Sequence, residues 1–477
     1  MNAPIIRLFG LVVVLFTVLV VFASRWAVFD AKSLNDNALN KRGVLEAAKI
    51  DRGVIRAGDG TVLARSVKQQ GGVYQRTYPT GELFSHAIGY SFTDIGQAGL
   101  ERFYNDPLIG KRQGIDSLFD QLSGGRKQGD DLSVTLDPNA QRIATNALRS
   151  TGDGHGAVVA MDPHTGAIKV MASTPGYDPN NLDRPGRFAA LNRDSGSPVF
   201  NRATQSSYPP GSTFKVVTAI AAIDSGRYTQ DSTVSGQNGK VISGVPLQND
   251  NGESFGAIPL TEALTNSVNT VWAEVAETLG KSTMGRYMTR LGFYSKPPLD
   301  YPADQRLASG EYRNGRLLSP LSPSIDVGRM GIGQDLLAVT PLQMAMVASA
   351  VANNGVLVRP HMGSRVVDPD GRVRDDIRPQ EEGRVMRPST AKTVGSMMSQ
   401  VVKEGTGTAA ALSGIEVAGK TGTAEKNQCS GNQTWFIAFA PVTNPKIAIA
   451  VTNECANGTG GEVAAPIAKQ VMEALIH

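Results

Sequence analysis

An apolar run near the amino terminus sets the first limit on how this chain can fold. No charged residue occurs between Arg7 and Arg25, and residues 8–24 are mostly Leu, Val and Phe. A helix over this run would measure about 25 Å, close to the roughly 30 Å hydrocarbon core of a bilayer. The flanking arginines and Trp26 can reach the membrane interfaces. The run therefore predicts one transmembrane helix, with the bulk of the chain exported.

A cleaved signal peptide is the alternative interpretation, because Val21-Phe22-Ala23 loosely resembles a cleavage site. The apolar run is longer than the roughly 7 to 15 residues of a signal peptide's apolar region, so we adopt an uncleaved anchor. A polar stretch at 123–130 indicates a domain boundary. We divide the chain into a cytoplasmic tail (1–7), a signal anchor (8–26), a stalk (27–45), a small mixed N-terminal module (46–128) and a larger domain (129–477).

Composition excludes several classes of function. The chain has 477 residues, enough for two or three folded units, and a net charge of +4, too small for a nucleic-acid-binding protein. Its two cysteines and five histidines leave no pair with metal-ligand spacing, so no metal site is predicted. No role is assigned to the histidines.

Strand and helix patterns predict an α+β fold. In the N-terminal module, 54–57 and 61–64 form a hairpin pattern around a glycine turn. Beyond the boundary, strand patterns occur near both ends of the larger domain, at 132–136, 157–161, 167–171, 417–423, 434–440 and 446–452. Helical patterns occur at 139–148, 214–223, 260–278, 340–353 and 462–476. Strands at both ends with helices between them indicate one sheet assembled from distant segments.

Ser212 and Lys215 form the first candidate pair. Pro209-Pro210-Gly211 cannot continue a helix backwards, so Ser212 is predicted at or beside a helix start. Lys215 then lies on the same face, within reach of the Ser212 hydroxyl. Its neighbours are apolar, and burial lowers a lysine pKa, so the neutral amine can activate the serine. Taken alone, the pair is also compatible with a helix cap and a snorkelling lysine.

Ser267 and Asn269 form the second candidate pair. If they lie in a loop or at a helix end, both side chains can point into one cleft. The Ser267 hydroxyl could then relay a proton between Lys215 and a leaving amine, while the Asn269 amide holds the substrate backbone. Taken alone, this pair is also typical of a turn or a cap.

Lys420-Thr421-Gly422-Thr423 form the third candidate group, on a predicted strand. Gly422 has no Cβ, so a substrate could lie against this strand. Lys420 offers a cation for a substrate carboxylate, and Thr421 and Thr423 offer hydroxyl donors. A solvated lysine on an edge strand is the alternative.

The ordered set Ser-x-x-Lys, Ser-x-Asn and Lys-Thr-Gly resembles the signature of penicillin-binding proteins and serine β-lactamases. The segments 209–215, 331–334, 340–343 and 353–355 resemble the transpeptidase domain of class B penicillin-binding proteins. Segments 52–55, 78–79 and 99–105 resemble the non-catalytic module of that class. Ala57-Gly58-Asp59-Gly60 replaces the Asp-Arg-Asn-Gly of many members, and this variant is similar to the penicillin-binding protein A group of actinobacteria.

The resemblance implies a penicillin-binding, serine β-lactamase-like transpeptidase domain with a central antiparallel sheet flanked by helices. Its implied activity is peptidoglycan D,D-transpeptidation through an acyl-enzyme on Ser212, inhibited by β-lactams. Lys215 and Ser267 would be catalytic; Asn269 and 420–423 would bind substrate; the backbone N–H groups of Ser212 and Thr423 would form the oxyanion hole. No cofactor is implied. A membrane glycosyltransferase of the SEDS family is the implied partner, with the catalytic domain outside the cytoplasm.

Two other functions remain open, a class D-like β-lactamase or penicillin sensor and a catalytically silent cell-wall scaffold. The N-terminal module, Ser-x-Asn at the second motif and the absence of a following Glu-x-x-Leu-Asn disfavour a β-lactamase. The intact polar residues of the three motifs disfavour a scaffold. D,D-carboxypeptidase activity is a third enzymatic option.

Cys429 and Cys455 are a candidate disulfide. Cys429 falls between two predicted strands and Cys455 at the end of the next, and an antiparallel meander would bring these positions together. An exported protein permits such a bond, which would stabilise the fold by roughly 3 kcal/mol. Two small buried thiols are the alternative.

Overall fold

The structure is a computed structural model that describes residues 2–25, 48–111, 128–425 and 431–476. The predicted stalk and Cys429 lie outside these residues.

The first helix, α1, is the apolar segment predicted to span a membrane. It runs over Asn2–Ser24, so it begins before the predicted start at Leu8. Pro4 is tolerated there because the first turn of a helix needs no N–H partner from that residue. Ala3–Phe22 has a mean hydropathy of 2.9 and is fully exposed. This helix fits a single-pass membrane protein.

The remaining described helices, in chain order, are α2 (Ser85–Ile88), α3 (Gly99–Phe103), α4 (Asn105–Leu108), α5 (Pro138–Arg149), α6 (Arg187–Arg193), α7 (Lys215–Asp224), α8 (Leu260–Thr265), α9 (Asn269–Arg290, kinked at Gly280), α10 (Val327–Met330), α11 (Pro341–Ala352), α12 (Pro388–Lys403) and α13 (Ala464–Ile476).

The described strands, in chain order, are β1 (Ile55–Arg56), β2 (Val62–Lys68), β3 (Tyr74–Thr77), β4 (Ser91–Phe92), β5 (Gly96–Gln97), β6 (Asp131–Val134), β7 (Gly156–Met161), β8 (Ile168–Thr174), β9 (Thr233–Ser235), β10 (Lys240–Ile242), β11 (Val245–Leu247), β12 (Ala257–Pro259), β13 (Gly310–Arg313), β14 (Arg316–Leu317), β15 (Leu337–Ala338), β16 (Val356–Val358), β17 (Gly363–Val367), β18 (Val373–Asp376), β19 (Glu381–Arg384), β20 (Ala418–Glu425), β21 (Asn432–Ala440) and β22 (Ile447–Ala456).

A five-stranded antiparallel sheet forms the centre of the larger domain, in the order β20-β21-β22-β7-β8. The C-terminal meander therefore pairs with the first hairpin of the domain, as the sequence predicts. The prediction of one sheet is wrong for the strand pattern at 132–136, because β6 belongs to a second sheet. Helix α11 is buried along its whole length and packs on β21, β22 and β7. Helices α5 and α13 pack on the sheet as well, with a separate apolar cluster between them and the strands. The predicted α+β fold class is confirmed.

A second sheet joins the N-terminal module to the larger domain. Its order is β18-β17-β6-β1-β2-β3, and β1 pairs in parallel with β6, Ile55 opposite Leu132. Strands β1 and β2 form the predicted hairpin, closed by an Ala57–Gly60 turn. Strand β17 comes from far along the chain and pairs with β6. The boundary at 128/129 therefore falls just before a strand that both parts of the chain share.

A buried ion pair network holds the N-terminal module together. The Glu101 carboxylate is fully buried and accepts hydrogen bonds from Arg52 Nε and Arg76 Nε, each at 2.6 Å. Burial raises the pKa of Glu101, but the charges and hydrogen bonds of the two arginines outweigh burial and hold it below the usual range. The carboxylate therefore contributes stability above about pH 4, which is lost as pH falls through its lowered pKa.

Glu101→Ala is expected to lower the free energy of unfolding by about 3 to 5 kcal/mol at pH 7, because it leaves two buried guanidinium groups without their anion. Urea unfolding of the detergent-solubilised chain, followed by circular dichroism, measures this loss. Asp304→Ala is the matched control, since it breaks the exposed Arg102–Asp304 pair, and a cost below about 1 kcal/mol is expected. Equal losses in the two variants would contradict the structural importance of Glu101.

Candidate active site

Ser212 lies in a short 3₁₀ turn, Gly211–Phe214, that leads directly into α7. The turn starts with Gly211 at a positive φ of 52°, and Gly211 N donates to Gly333 O at 3.1 Å. A Cβ on Gly333 would collide with Gly211 O, so a glycine is required there. The segment 331–334, Gly-Ile-Gly-Gln, thus packs against the serine turn and hydrogen-bonds to it. The structure agrees with the predicted position of Ser212 beside a helix start.

The serine turn packs against strand β20. A Cβ on Gly422 would lie 2.7 Å from Pro210 O and 2.9 Å from Thr213 Cγ2. The sequence interpretation attributed the missing Cβ of Gly422 to room for a substrate. The structure gives a different reason, because the backbone of the serine turn occupies this space. Gly422 therefore sets the distance between Ser212 and the Lys420 strand.

Ser267 interrupts a helix that the sequence predicts as continuous over 260–278. The structure has α8 and α9 instead, and the prediction of a single helix is wrong. Ser267 has a φ of 58°, a left-handed value that a helix cannot contain and that a serine rarely adopts. Asn269 is the first residue of α9. The break places both residues at a helix end, the condition under which the sequence predicted that they face one cleft.

The two lysines meet at the Ser267 hydroxyl. Lys215 Nζ donates to Ser267 O at 2.6 Å, to Asn269 Oδ1 at 2.7 Å and to Ser267 Oγ at 3.1 Å. Lys420 Nζ donates to the same Oγ at 3.0 Å and to Thr421 O at 3.1 Å. Both lysines are fully buried. The three sequence motifs, far apart in the chain, thus converge on one hydroxyl.

The Ser212 hydroxyl is the half-buried member of this cluster. Within the described part of the chain it forms no hydrogen bond, whereas Lys215 Nζ contacts Ser267 and Asn269. Among the described residues, Lys215 therefore donates to the second motif and forms no hydrogen bond with Ser212. Active-site hydrogen bonds are often long in unliganded enzymes and shorten when the substrate binds.

Burial changes the protonation of both lysines. It lowers the pKa of Lys420 to about 7, against the attraction of the Asp250 carboxylate. The pKa of Lys215 falls well below its usual value because of burial first and the nearby Lys420 charge second, again opposed by Asp250. A neutral amine is accordingly accessible to Lys215 near neutral pH, as a general base requires.

Several contacts were not indicated by the sequence. Thr421 Oγ1 lies 2.6 Å from Thr406 Oγ1, and Thr423 Oγ1 accepts from Gly460 N at 3.1 Å. No motif marks Thr406, which becomes a neighbour only through folding. A Cβ on Gly460 would collide with the backbone of Gly422, so the glycine is needed for this approach.

The Asn269 amide makes polar contacts at both its oxygen and its nitrogen. Its Oδ1 accepts from Lys215, and its Nδ2 donates to Gln248 O at 3.1 Å and to Asp250 Oδ1 at 3.3 Å. The amide was predicted to hold the substrate backbone. It links the 248–250 segment to the buried Lys215, and the contact with substrate stays a prediction.

Cys455 is disulfide-bonded and lies at the end of β22 with a φ of 47°. Gly431, just before β21, packs on the Cys455 backbone. The predicted partner, Cys429, lies outside the described residues. Its pairing with Cys455 stays a prediction.

The comparisons with known proteins agree with this fold. A family model described as the penicillin binding protein transpeptidase domain matches residues 156–473. A second, the penicillin binding protein A dimerisation domain, matches residues 52–132. The chain therefore belongs to the penicillin-binding protein transpeptidase family.

Individual relatives narrow this to the penicillin-binding protein A group. Peptidoglycan D,D-transpeptidase PbpA of Mycolicibacterium smegmatis is 33% identical over 100% of this chain and 99% of its own length. The crystal structure of PBPA from Mycobacterium tuberculosis is 31% identical and matches with a TM-score of 0.81, covering 90% of this chain and 100% of that one. A penicillin G acyl-enzyme complex of the same protein matches with a TM-score of 0.79 at 30% identity, again over 90% and 100% of the two chains. The predicted resemblance to this group is confirmed.

Proposed function

We propose that Ser212 is the nucleophile of peptidoglycan D,D-transpeptidation, with Lys215 as its base and Ser267 as a proton relay. The enzyme class itself, a serine D,D-transpeptidase that β-lactams acylate, is confirmed by family membership and by the relatives. The observation that carries the residue roles is the Ser267 hydroxyl, which lies within 3.1 Å of Lys215 Nζ and 3.0 Å of Lys420 Nζ beside the serine turn.

In the acylation step, Ser212 Oγ attacks the carbonyl carbon of the penultimate D-alanine of a stem peptide. Neutral Lys215 takes the hydroxyl proton, and this proton passes through the Ser267 hydroxyl to the nitrogen of the leaving D-alanine. In the second step, an amine of a neighbouring stem attacks the ester carbonyl. The proton that this amine loses passes back through Ser267 and Lys215 to Ser212 Oγ as the ester bond breaks. Ser212 and neutral Lys215 are thereby regenerated, and the cross-link is formed.

Substrate binding is assigned to strand β20, the serine turn before α7 and the start of α9. The backbone N–H groups of Ser212 and Thr423 would bind the oxyanion. Lys420 and the hydroxyls of Thr421 and Thr423 would hold the terminal carboxylate, which penicillin also carries. Asn269 and the backbone of Gly422, whose missing Cβ gives room to the serine turn, would line the peptide. Burial of Lys420 supports this assignment, because a desolvated cation attracts a carboxylate strongly. The proposed steps require no metal ion or organic cofactor.

The location follows from the substrate. Stem peptides are cross-linked outside the cytoplasm, so we assign the catalytic domain to the outer side and residues 1–7 to the cytoplasm. Residues 8–26, 27–45, 46–128 and 129–477 are assigned to the anchor, stalk, N-terminal module and transpeptidase domain. Helix α1 supports a single-pass anchor. A SEDS-family membrane glycosyltransferase is proposed as the partner that polymerises the glycan.

The test is intact mass spectrometry of the detergent-solubilised chain after benzylpenicillin, followed over hours. We expect one drug mass per chain, lasting for hours, and located by digestion on the peptide that carries Ser212. The sequence has no Glu-x-x-Leu-Asn after the second motif to supply a deacylating base, so hydrolysis should be slow. Rapid loss of the adduct with drug turnover would instead identify a β-lactamase. No adduct at all would identify a silent scaffold.

A further inference from the structure

The segment 248–250 is anchored across the start of helix α9. Asn249 is buried, and its Oδ1 accepts from Thr270 N at 3.0 Å. Its Nδ2 donates to Gly236 O and Glu253 O. These bonds fix the backbone on both sides of Asp250, although the Asp250 side chain is exposed. An exposed carboxylate on so firmly held a backbone has a defined position at the rim of the cleft.

The Asp250 carboxylate acts on the catalytic cluster through Asn269. An amide has one oxygen and one nitrogen, so whatever accepts from Nδ2 decides where Oδ1 points. Asp250 Oδ1 and Gln248 O both accept from Asn269 Nδ2, and Oδ1 is thereby directed at Lys215 Nζ, 2.7 Å away. The opposite orientation would place an N–H group against an amine and a carbonyl against a carboxylate.

We propose that Asp250 is a positioning residue of the acylation step, which fixes the Asn269 amide toward Lys215 and places a negative charge beside the two active-site lysines. The inference rests on the proposed function. The charged groups that face this cluster are Lys215 from α7, Lys420 from β20 and Asp250 from the 3₁₀ turn after β11. Among the described residues, Asp250 is the carboxylate that acts on both lysines of this otherwise cationic site.

The charge has a defined effect on pH dependence. Asp250 opposes the loss of a proton from both lysines. The pair titrates as a unit, and acylation requires it to be deprotonated at Lys215. Removing the Asp250 charge should therefore move the acidic limb of the acylation rate toward lower pH. A role in local folding alone would lower the rate at every pH and leave the limb where it is.

The experiment measures the second-order rate of acylation of the full-length chain in detergent by a fluorescent penicillin, between pH 4.5 and 9. Asp250→Asn keeps an acceptor for Asn269 but removes the charge. It should retain the plateau rate of acylation, and the acidic limb should move to lower pH by about half a unit. At a given pH on the limb, the variant should then react about threefold faster than the unmodified chain. Asp250→Ala loses both the acceptor and the charge, so its plateau rate of acylation should also fall about three- to tenfold.

Glu253→Gln is the matched control, since it neutralises an exposed carboxylate three residues away. The acidic limb of the acylation rate of Glu253→Gln should coincide with that of the unmodified chain. A limb in Asp250→Asn that coincides with the control would overturn the inference while the proposed function stands. Absence of acylation in the unmodified chain would overturn the proposed function and the inference with it.

Discussion

Ser212→Ala is expected to abolish the covalent penicillin adduct and the release of D-alanine from a stem peptide, because no neighbouring hydroxyl can replace the nucleophile. The Ser267 hydroxyl is held between two lysines. The Thr213 hydroxyl donates to Pro210 O at 2.8 Å and is fully buried. Neither is free to attack a carbonyl bound at the serine turn. Intact mass spectrometry after hours with benzylpenicillin measures the loss.

The fold should not change in this variant. The Ser212 hydroxyl makes no hydrogen bond within the described residues, so its removal leaves no buried partner unpaired. The thermal unfolding midpoint should therefore match that of the unmodified chain. Ser207→Ala, five residues upstream, is the control that should keep the full adduct. An adduct in Ser212→Ala at the normal rate would show that another residue is the nucleophile.

Local patterns predicted most of the elements that carry the site. The meander β20–β22, the hairpin of β7 and β8 and the start of α7 each depend on residues close together in sequence, so alternation and turn residues suffice to locate them. The order of the three motifs identified the family because each motif keeps its own local context. These features predicted that Ser212, Ser267 and Lys420 belong to one site.

Features that depend on long-range contacts could not be predicted in the same way. The run 260–278 has helical composition throughout, and nothing local requires the left-handed backbone at Ser267. The pairing of β6 with β17 joins strands more than two hundred residues apart. The requirement for glycine at 422 comes from Pro210 O, and Thr406 and Asp250 approach the site only after folding. Tertiary packing decides each of these cases.

Lys215 has a packing role in addition to its proposed catalytic role, and a methionine substitution can separate the two. Lys215 is fully buried, and its amine satisfies Ser267 O and Asn269 Oδ1. Methionine has a similar length and is apolar, so Lys215→Met keeps the packing of α7 while it removes the base and the donor to these two acceptors. Lys392→Met, on the exposed face of α12, is the matched control for the loss of a lysine.

Lys215→Met is expected to lower the rate of acylation by benzylpenicillin by about 10³-fold, within the range found for a general base. In the unmodified chain the rate should rise with pH as the lysine pair loses a proton, since only the neutral amine can accept the Ser212 proton. The variant should lose this dependence, because the remaining Lys420 amine contacts Ser267 Oγ and Thr421 O and is assigned to the substrate carboxylate rather than to the Ser212 proton. Stopped-flow or mass-resolved acylation between pH 5 and 9 measures both effects. If the residual rate of the variant still rises tenfold between pH 5 and 9, the base is not Lys215 but Lys420 acting through Ser267.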